Sequence, residues 1–206
     1  MIRVLDARFL KTAVEPDGYP QPDRPEIAFV GRSNVGKSSM INALAGRNKL
    51  VRVSNTPGRT RTLNFFDVDL DVDGSRVLPR LVDLPGYGFA KAPKTEKKEW
   101  ERMISRYLES RSVLKVVVAI VDAEVGPTPE DLSTLGYLVD SVPRVLLVAT
   151  KIDRLPKAKR KPRIQELARI TRLPEAAVVP FSATLKLGVD EVWESLTPQL
   201  SMNPGG

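Results

Sequence analysis

Short, unbroken apolar runs alternate along the chain with longer amphipathic stretches. Val116-Val117-Val118-Ala119-Ile120-Val121, Val145-Leu146-Leu147-Val148-Ala149 and Ala176-Ala177-Val178-Val179-Pro180-Phe181 are brief and rich in Val or Ala. Runs of this kind, without polar alternation, predict strands buried on both faces of a parallel sheet. Ile27-Ala28-Phe29-Val30, ahead of a glycine-rich loop, and Arg80-Leu81-Val82, ahead of Asp83, predict two more. Between them Trp100, Met103, Ile104, Tyr107 and Leu108 recur at the i, i+3, i+4, i+7, i+8 spacing of one helix face, with Glu99, Glu101 and Arg102 opposite. Leu132, Leu135 and Leu138 predict another helix, residues 164–170 a third and residues 189–196 a last one. Strands alternating with helices make a βαβ array, hence a three-layer α/β fold around a mostly parallel sheet.

Residues 63–70 and 76–82 break the alternation, because they flank Asp73-Gly74, a strong hairpin signal. One edge strand is therefore expected to run antiparallel. At the N-terminus Ile2, Val4 and Phe9 are expected to add an edge strand. The Pro-bearing stretch 15–25 then divides an extension, residues 1–24, from a main domain, residues 25–200, with residues 201–206 a flexible tail.

Composition narrows the chemistry. With 206 residues and 42% hydrophobic positions, the chain suffices for one domain with a real core. It contains no Cys and no His, which excludes disulfides, thiolate nucleophiles, Ser-His triads and Cys/His zinc sites. What remains is carboxylates, hydroxyls, amides, backbone N–H groups, Lys, Arg and a bound hard cation. Arg3, Asp6, Arg8 and Lys11 interrupt the first apolar residues, unlike a signal peptide. No apolar run approaches the roughly 18 residues of a membrane span. A soluble, cytoplasmic protein is expected. Lys and Arg number 32 against 25 Asp and Glu, a formal charge of +7, which favours a polyanionic partner, nucleic acid first.

Four segments carry the function. Gly31-Arg32-Ser33-Asn34-Val35-Gly36-Lys37-Ser38 matches G-x-x-x-x-G-K-[ST] between a predicted strand and a predicted helix. Small residues there let backbone N–H groups close around phosphate oxygens at a helix N-terminus, with Lys37 reaching the β- and γ-phosphates and Ser38 binding Mg²⁺. Asp83-Leu84-Pro85-Gly86 follows a buried strand. Asp83 is placed to hold the magnesium shell and Gly86 to offer its N–H to a γ-phosphate. Thr150-Lys151-Ile152-Asp153 follows another strand. Asp153 would accept from the guanine ring N–H and amino group, which adenine cannot supply, while the Lys151 stem lies along the base. Phe181-Ser182-Ala183 ends the last strand, where a backbone N–H meets the guanine carbonyl oxygen. Loops at successive strand C-termini converge on one ligand in open α/β sheets, so these segments together predict GTP or GDP as ligand. A P-loop kinase or ATPase is the competing enzyme class, and residues 150–153 argue against it. Asn55-Thr56-Pro57-Gly58-Arg59-Thr60-Arg61-Thr62 is the candidate mobile segment for a second magnesium ligand, with Thr60 preferred and Thr62 its rival.

Residues 25–39, Thr56-Pro57-Gly58-Arg59-Thr60, Asp83-Leu84-Pro85-Gly86-Tyr87-Gly88 and Thr150-Lys151-Ile152-Asp153 together resemble the EngB family (YihA/YsxC) of bacterial GTPases, over nearly the whole chain. The resemblance implies a Ras-like P-loop GTPase fold and a role in assembling the large ribosomal subunit. It also carries the historical label of normal cell division and septation. The partners it implies are a large-subunit precursor and its ribosomal RNA; no DNA partner and a monomer are expected. In the family the magnesium threonine follows Pro-Gly-Arg, which supports Thr60.

In Ras-like switches the residue after the Asp-x-x-Gly glycine is a glutamine that orients the attacking water; here it is Tyr87, so slow intrinsic turnover is expected. In similar GTPases an asparagine at the place of Asn34 helps bind a potassium ion whose charge stabilises the transition state. The expectation is potassium-stimulated hydrolysis with Lys37, Asn34 and Thr60 as the catalytic groups. The competing reading is that Asn34 braces the loop by a side-chain bond. Lys157-Ala158-Lys159-Arg160-Lys161-Pro162-Arg163 and residues 91–98 are basic runs suited to RNA phosphates, or else solvated helix starts. A nucleotide-gated binding module with negligible hydrolysis also fits Tyr87.

Overall fold

The structure is a computed structural model that describes residues 1–51, 62–88 and 94–200. Among them the elements run β1 (Ile2–Ala13), β2 (Glu26–Gly31), α1 (Lys37–Leu44), β3 (Leu63–Val72), β4 (Ser75–Val77), β5 (Arg80–Asp83), α2 (Lys94–Ser110), β6 (Leu114–Asp122), α3 (Pro129–Ser141), β7 (Val145–Thr150), α4 (Lys157–Thr171), β8 (Val178–Pro180) and α5 (Val189–Leu196). They build one sheet in the order β1-β3-β5-β2-β6-β7-β8, with β4 beside β3.

The apolar runs become the parallel centre of that sheet, β5-β2-β6-β7-β8, with a crossover helix between β5 and β6, β6 and β7, and β7 and β8, while α1 and the β3-β4 hairpin connect β2 to β5. Every residue of β2, β5 and β7 is buried, as strands covered on both faces require. Met40, Ile41 and Leu44 of α1 pack with Val192, Trp193 and Leu196 of α5 on one face. Trp100, Ile104 and Tyr107 of α2, Leu135 and Leu138 of α3, and Ile164 and Leu167 of α4 cover the other. This is the expected three-layer arrangement.

The predicted hairpin forms. Asp73 and Gly74 take φ of 51° and 85°, the left-handed pair of a tight two-residue turn. Val72 pairs Ser75 and Asn64 pairs Asp83, so β4 and β5 continue one register on β3, divided only where Leu78 and Pro79 intervene. The Pro79 carbonyl still accepts the Val68 N–H at 3.0 Å. β3 runs antiparallel as expected, but it is internal. β1 pairs along its outer side from Ile2↔Val72 to Ala13↔Leu63 and takes the edge. Register shifts between Val4 and Asp6 and between Phe9 and Lys11 leave Leu5 and Leu10 unpaired, and such bulges blunt an open edge.

Two features depart from simple sequence logic. The stretch at residues 15–25 divides β1 from β2 along the chain yet is stitched to the core: Tyr19 is buried against Phe65 and Tyr107, Arg111 donates to the Pro20 carbonyl at 3.1 Å, and Arg80 to that of Gln21 at 2.9 Å. Beneath it, at the strand starts, Glu26 is fully buried and accepts from Tyr107 Oη at 2.9 Å and Arg111 Nε at 3.0 Å, while Arg80 Nε bonds Asp67 at 2.9 Å. Helix α4 also starts seven residues before its apolar pattern, at Lys157, and contains Pro162. At that proline the helix lacks the N–H that would bond the Ala158 carbonyl, and Ala158 is an exposed residue. No helix among the described residues is long and apolar enough to cross a membrane.

Candidate nucleotide-binding site

All the parallel strands end at the same side of the sheet, and the loops that leave them there carry the predicted chemistry. Because β3 runs the other way, Thr62 enters the sheet on that side too, half-buried and two residues before Asn64, the strand partner of Asp83. Gly58, Arg59, Thr60 and Arg61 lie outside the described residues.

The loop from Gly31 to α1 is shaped by its backbone. Asn34 and Gly36 adopt left-handed φ values of 63° and 102°. At Gly31 a Cβ would meet Val35 Cγ1 at 2.9 Å and the Ile120 carbonyl at 3.0 Å, so the loop leaves β2 in contact with β6. Thr150 Oγ1 braces it from β7, 2.6 Å from the Val35 carbonyl and 3.0 Å from that of Val121. No side chain caps α1 at Gly36, which leaves the first N–H groups of the helix facing the loop's hollow. Arg32, Ser33 and Ser38 are half-buried around it.

Lys37 Nζ forms an ion pair with Asp83 Oδ1, and both side chains are nearly covered, at 12% and 9% exposure. The cation of the loop and the carboxylate ending β5 thus reach one point. Ser38 is the second residue of α1, and no group of three or more acidic side chains able to hold a metal ion occurs among the described residues. The hard oxygen donors Ser38 and Asp83, completed by phosphate oxygens, fit Mg²⁺, which keeps several waters and takes few carboxylates.

The turn after Asp83 lies directly on the phosphate loop. Leu84 N–H donates to the Phe29 carbonyl at 3.1 Å, Tyr87 N–H to that of Gly31 at 3.3 Å, and Ser33 N–H to that of Tyr87 at 2.9 Å. A Cβ on Gly86 would stand 3.4 Å from both Gly31 O and Ser33 N. Pro85 is held by its carbonyl, which accepts from Trp100 Nε1 at 2.6 Å. The Tyr87 side chain points away from the loop: it is buried edge-on to Trp100 at 5.2 Å, and its hydroxyl donates to Asp131 Oδ1 at 2.7 Å. Burial, then the Asp131 charge and hydrogen bond, push the phenol far above its usual range, so it stays a neutral, engaged donor. It offers no group to orient a water, in line with its lack of glutamine chemistry.

At the guanine segments, Lys151 adopts φ 57°, pairs with Asp122 Oδ2 at 2.8 Å and donates to the Asn34 carbonyl at 3.0 Å. Burial would raise the Asp122 carboxyl, but the Lys151 hydrogen bond and the N–H groups of Val125 and Glu124 outweigh it and hold the group below its usual range. Ile152 is buried and donates to the Phe181 carbonyl at 3.1 Å, which sets the half-buried Asp153 beside residues 181–183. Ser182 exchanges backbone bonds with Leu187, and Gly188 is required where a Cβ would come within 2.1 Å of the Pro180 carbonyl. Ala183 stays half-exposed.

The predicted residues 31–38, 83–86, 150–153 and 181–183 therefore converge. Asn34 is exposed and its side chain makes no hydrogen bond among the described residues, so the bracing bond of the competing reading is not seen there; its carbonyl accepts from Lys151 instead. Sequence reasoning missed Asp122, Asp131 and the bracing role of Thr150. Asp122 had a signal, since like Asp83 it ends a buried apolar run, and Asp131 completes a Thr-Pro-Glu-Asp capping box. In the basic runs, Lys157, Lys159 and Lys161 are exposed, whereas Arg160 donates to the Leu155 carbonyl at 3.1 Å and Arg163 to that of Ala123 at 2.7 Å. Lys97 and Lys98 are exposed on α2, and residues 91–93 lie outside the described residues.

A family model described as "50S ribosome-binding GTPase" matches residues 26–151. A probable GTP-binding protein EngB of Myxococcus xanthus is 67% identical over 196 residues, covering 95% of each chain. The chain belongs to the EngB family. A probable EngB of an Anaeromyxobacter species agrees, with 47% identity over 206 residues, 98% of this chain and 95% of that one. Among solved structures, a probable GTP-binding protein engB superposes with TM-score 0.60 at 22% identity over 85% of this chain and 98% of that one, a likeness of fold. Era of Aquifex aeolicus, solved with GDP and aluminium fluoride, superposes with TM-score 0.65 at 25% identity over 86% of this chain and 57% of that one. As an EngB-family protein the chain is a guanine-nucleotide-binding GTPase on a mixed α/β fold.

Proposed function

We propose that the chain is a Mg²⁺-dependent GTPase with slow intrinsic turnover that acts as a checkpoint on a precursor of the large ribosomal subunit in the cytoplasm. On this reading residues 31–38 cradle the phosphates, Lys37 contacts the β- and γ-phosphates, and residues 150–153 and 181–183 hold guanine. Ser38 and Thr60 hold the magnesium ion with Asp83 in its outer shell, where the ion's charge offsets that of the phosphates. Residues 55–62 form the switch, and residues 25–200 are the nucleotide-binding domain, to which the extension adds its strand.

The observation that carries the reading is the tie between the two halves of the site: Lys151 spans from Asp122 to the Asn34 carbonyl, so the base segment and the phosphate loop form one cradle. Displacement of fluorescent GDP tests it. GTP is expected to compete and ATP to fail; equal competition by ATP would return the chain to the P-loop kinase and ATPase class.

Slow turnover is supported by Tyr87, whose hydroxyl is committed to Asp131. The exposed Asn34 is available to help hold a potassium ion, and that ion or a ribosomal partner supplies the stimulation; turnover is expected to be faster in potassium than in sodium at equal ionic strength, and equal rates with and without ribosomal particles would remove the potassium step. For the partner, exposed Lys157, Lys159 and Lys161 crowd the start of α4, where no acidic residue offsets the unfavourable helix dipole. Such an arrangement suits contact with RNA phosphates, and the part in cell division follows from ribosome supply. Co-sedimentation with large ribosomal particles is expected with a non-hydrolysable GTP analogue and not with GDP. A protein that binds particles in this way yet shows no turnover would instead be a nucleotide-gated binding module.

A further inference from the structure

We propose that Asp131 is a positioning residue for the γ-phosphate contact of Gly86, acting through the hydroxyl of Tyr87; this rests on the reading of Gly86 as that contact.

Gly86 has no side chain to fix its peptide plane, so its neighbours decide where its N–H points. On one side the Pro85 carbonyl is tied to α2 through Trp100 at 2.6 Å. On the other, Tyr87 is held by its own backbone, between the Gly31 carbonyl at 3.3 Å and the Ser33 N–H at 2.9 Å, and by its side chain on Asp131. The carboxylate is itself rigid. Its Oδ2 accepts both the N–H and the hydroxyl of Thr128 at 2.8 Å, and the residue is only 5% exposed. Capping α3 uses Oδ2 alone and does not require Oδ1, which takes the Tyr87 hydroxyl at 2.7 Å. A direct bond from a buried phenol to a buried carboxylate is charge-assisted, the kind that fixes geometry most firmly. The Asp-x-x-Gly turn is thus pinned to the start of α3 as well as to the phosphate loop. Pre-orienting the Gly86 N–H helps only a nucleotide that carries a γ-phosphate.

Tyr87→Phe removes the hydroxyl and keeps the ring against Trp100. Affinity for a non-hydrolysable GTP analogue is expected to fall about tenfold, ~1.4 kcal/mol. Affinity for GDP should stay within about twofold, and single-turnover hydrolysis at saturating GTP should slow. Asp131→Asn keeps an oxygen for Thr128 and loses the charge, so it should shift the ratio of analogue to GDP affinity in the same direction by less. That variant carries the comparison if Tyr87→Phe unfolds. Thr128→Ala weakens the cap of α3 but keeps the backbone N–H of residue 128 on Oδ2 and the Tyr87 hydroxyl on Oδ1, so it is expected to lower the melting temperature and to move the ratio far less than either of the other variants. The proposal is overturned if Tyr87→Phe and Asp131→Asn leave the ratio unchanged, if GDP and analogue weaken equally, or if Thr128→Ala moves the ratio as far. Failure of the unaltered protein to bind GDP would instead overturn the reading of the nucleotide site itself.

Discussion

Asp122→Asn removes one charge from the link between the base segment and the phosphate loop while keeping shape. The carboxylate holds Lys151 at 2.8 Å and accepts the N–H groups of Glu124 at 2.9 Å and Val125 at 3.2 Å. An asparagine oxygen still serves the two N–H groups, so the loss falls on Lys151. A hydrogen bond to a charged group contributes about 1.5–3 kcal/mol when well covered. The two side chains are 27% and 12% exposed, so solvent screening reduces the figure, to roughly 1 kcal/mol. On the proposed reading the Lys151 stem lies along the base, which GTP and GDP share. Titration with fluorescent GDP and with a non-hydrolysable GTP analogue should therefore show both dissociation constants raised about fivefold, with their ratio unchanged. The carboxyl is held below its usual range in the folded protein, so its contribution to stability is complete above the unfolded pKa of about 3.9 and is lost as pH falls through the lower folded value. The melting-temperature gap between the two proteins should hold steady from about pH 5 to 8 and close only below about pH 4. A change in the GTP-to-GDP ratio, or unaltered affinity for both, would refute the bracing role of Asp122.

Gly36→Ala tests the phosphate loop by backbone strain alone, since its Cβ would meet nothing closer than Thr150 at 3.6 Å while φ stays at 102°. The left-handed conformation costs an alanine about 1–2 kcal/mol, and calorimetric titration should show GDP and GTP weakened by about tenfold. At the opposite end of the sheet, Glu26→Gln leaves the Arg111 guanidinium buried without its counter-charge. Breaking a buried pair costs about 3–5 kcal/mol, which thermal melting should register as a fall on the order of 10 °C, with nucleotide specificity retained. Replacing Lys157, Lys159 and Lys161 together with Ala should weaken binding to ribosomal particles and lower the salt slope by about 2 to 3 without altering GDP affinity; an unchanged slope would take α4 out of the interface.

The central strands and the phosphate and guanine segments were legible because their signals are local. A strand covered on both faces must be apolar throughout, so β2, β6 and β7 announced themselves, and the loops that follow them had to emerge at one edge. The turn at Asp73-Gly74 was equally local, since only its two central residues need positive φ. Helix α4 was half-legible. Its first six residues, Lys157 to Pro162, contain no large apolar side chain, so no period marks them.

The N-terminal edge strand was expected from Ile2, Val4 and Phe9 and is β1; which side chains would meet depended on distances in space. β1 takes that edge with Ile2 and Val4 half-buried against the core, Ala7 and Ala13 buried, and Phe9 packed edge-on to Phe66 at 5.7 Å. Glu26, Arg80 and Arg111 look like surface charges in the sequence, and only their mutual pairing makes their burial affordable. The same holds at the site. The sequence by itself determined which residue types reach the nucleotide end of the sheet, through the periodicities that set the backbone. Only the tertiary structure decided that Asp122 holds Lys151 against the phosphate loop, and that Tyr87 turns from the phosphates to Asp131. Hydrogen bonds and ion pairs act over about 3 Å between groups far apart along the chain, and no local pattern encodes that meeting.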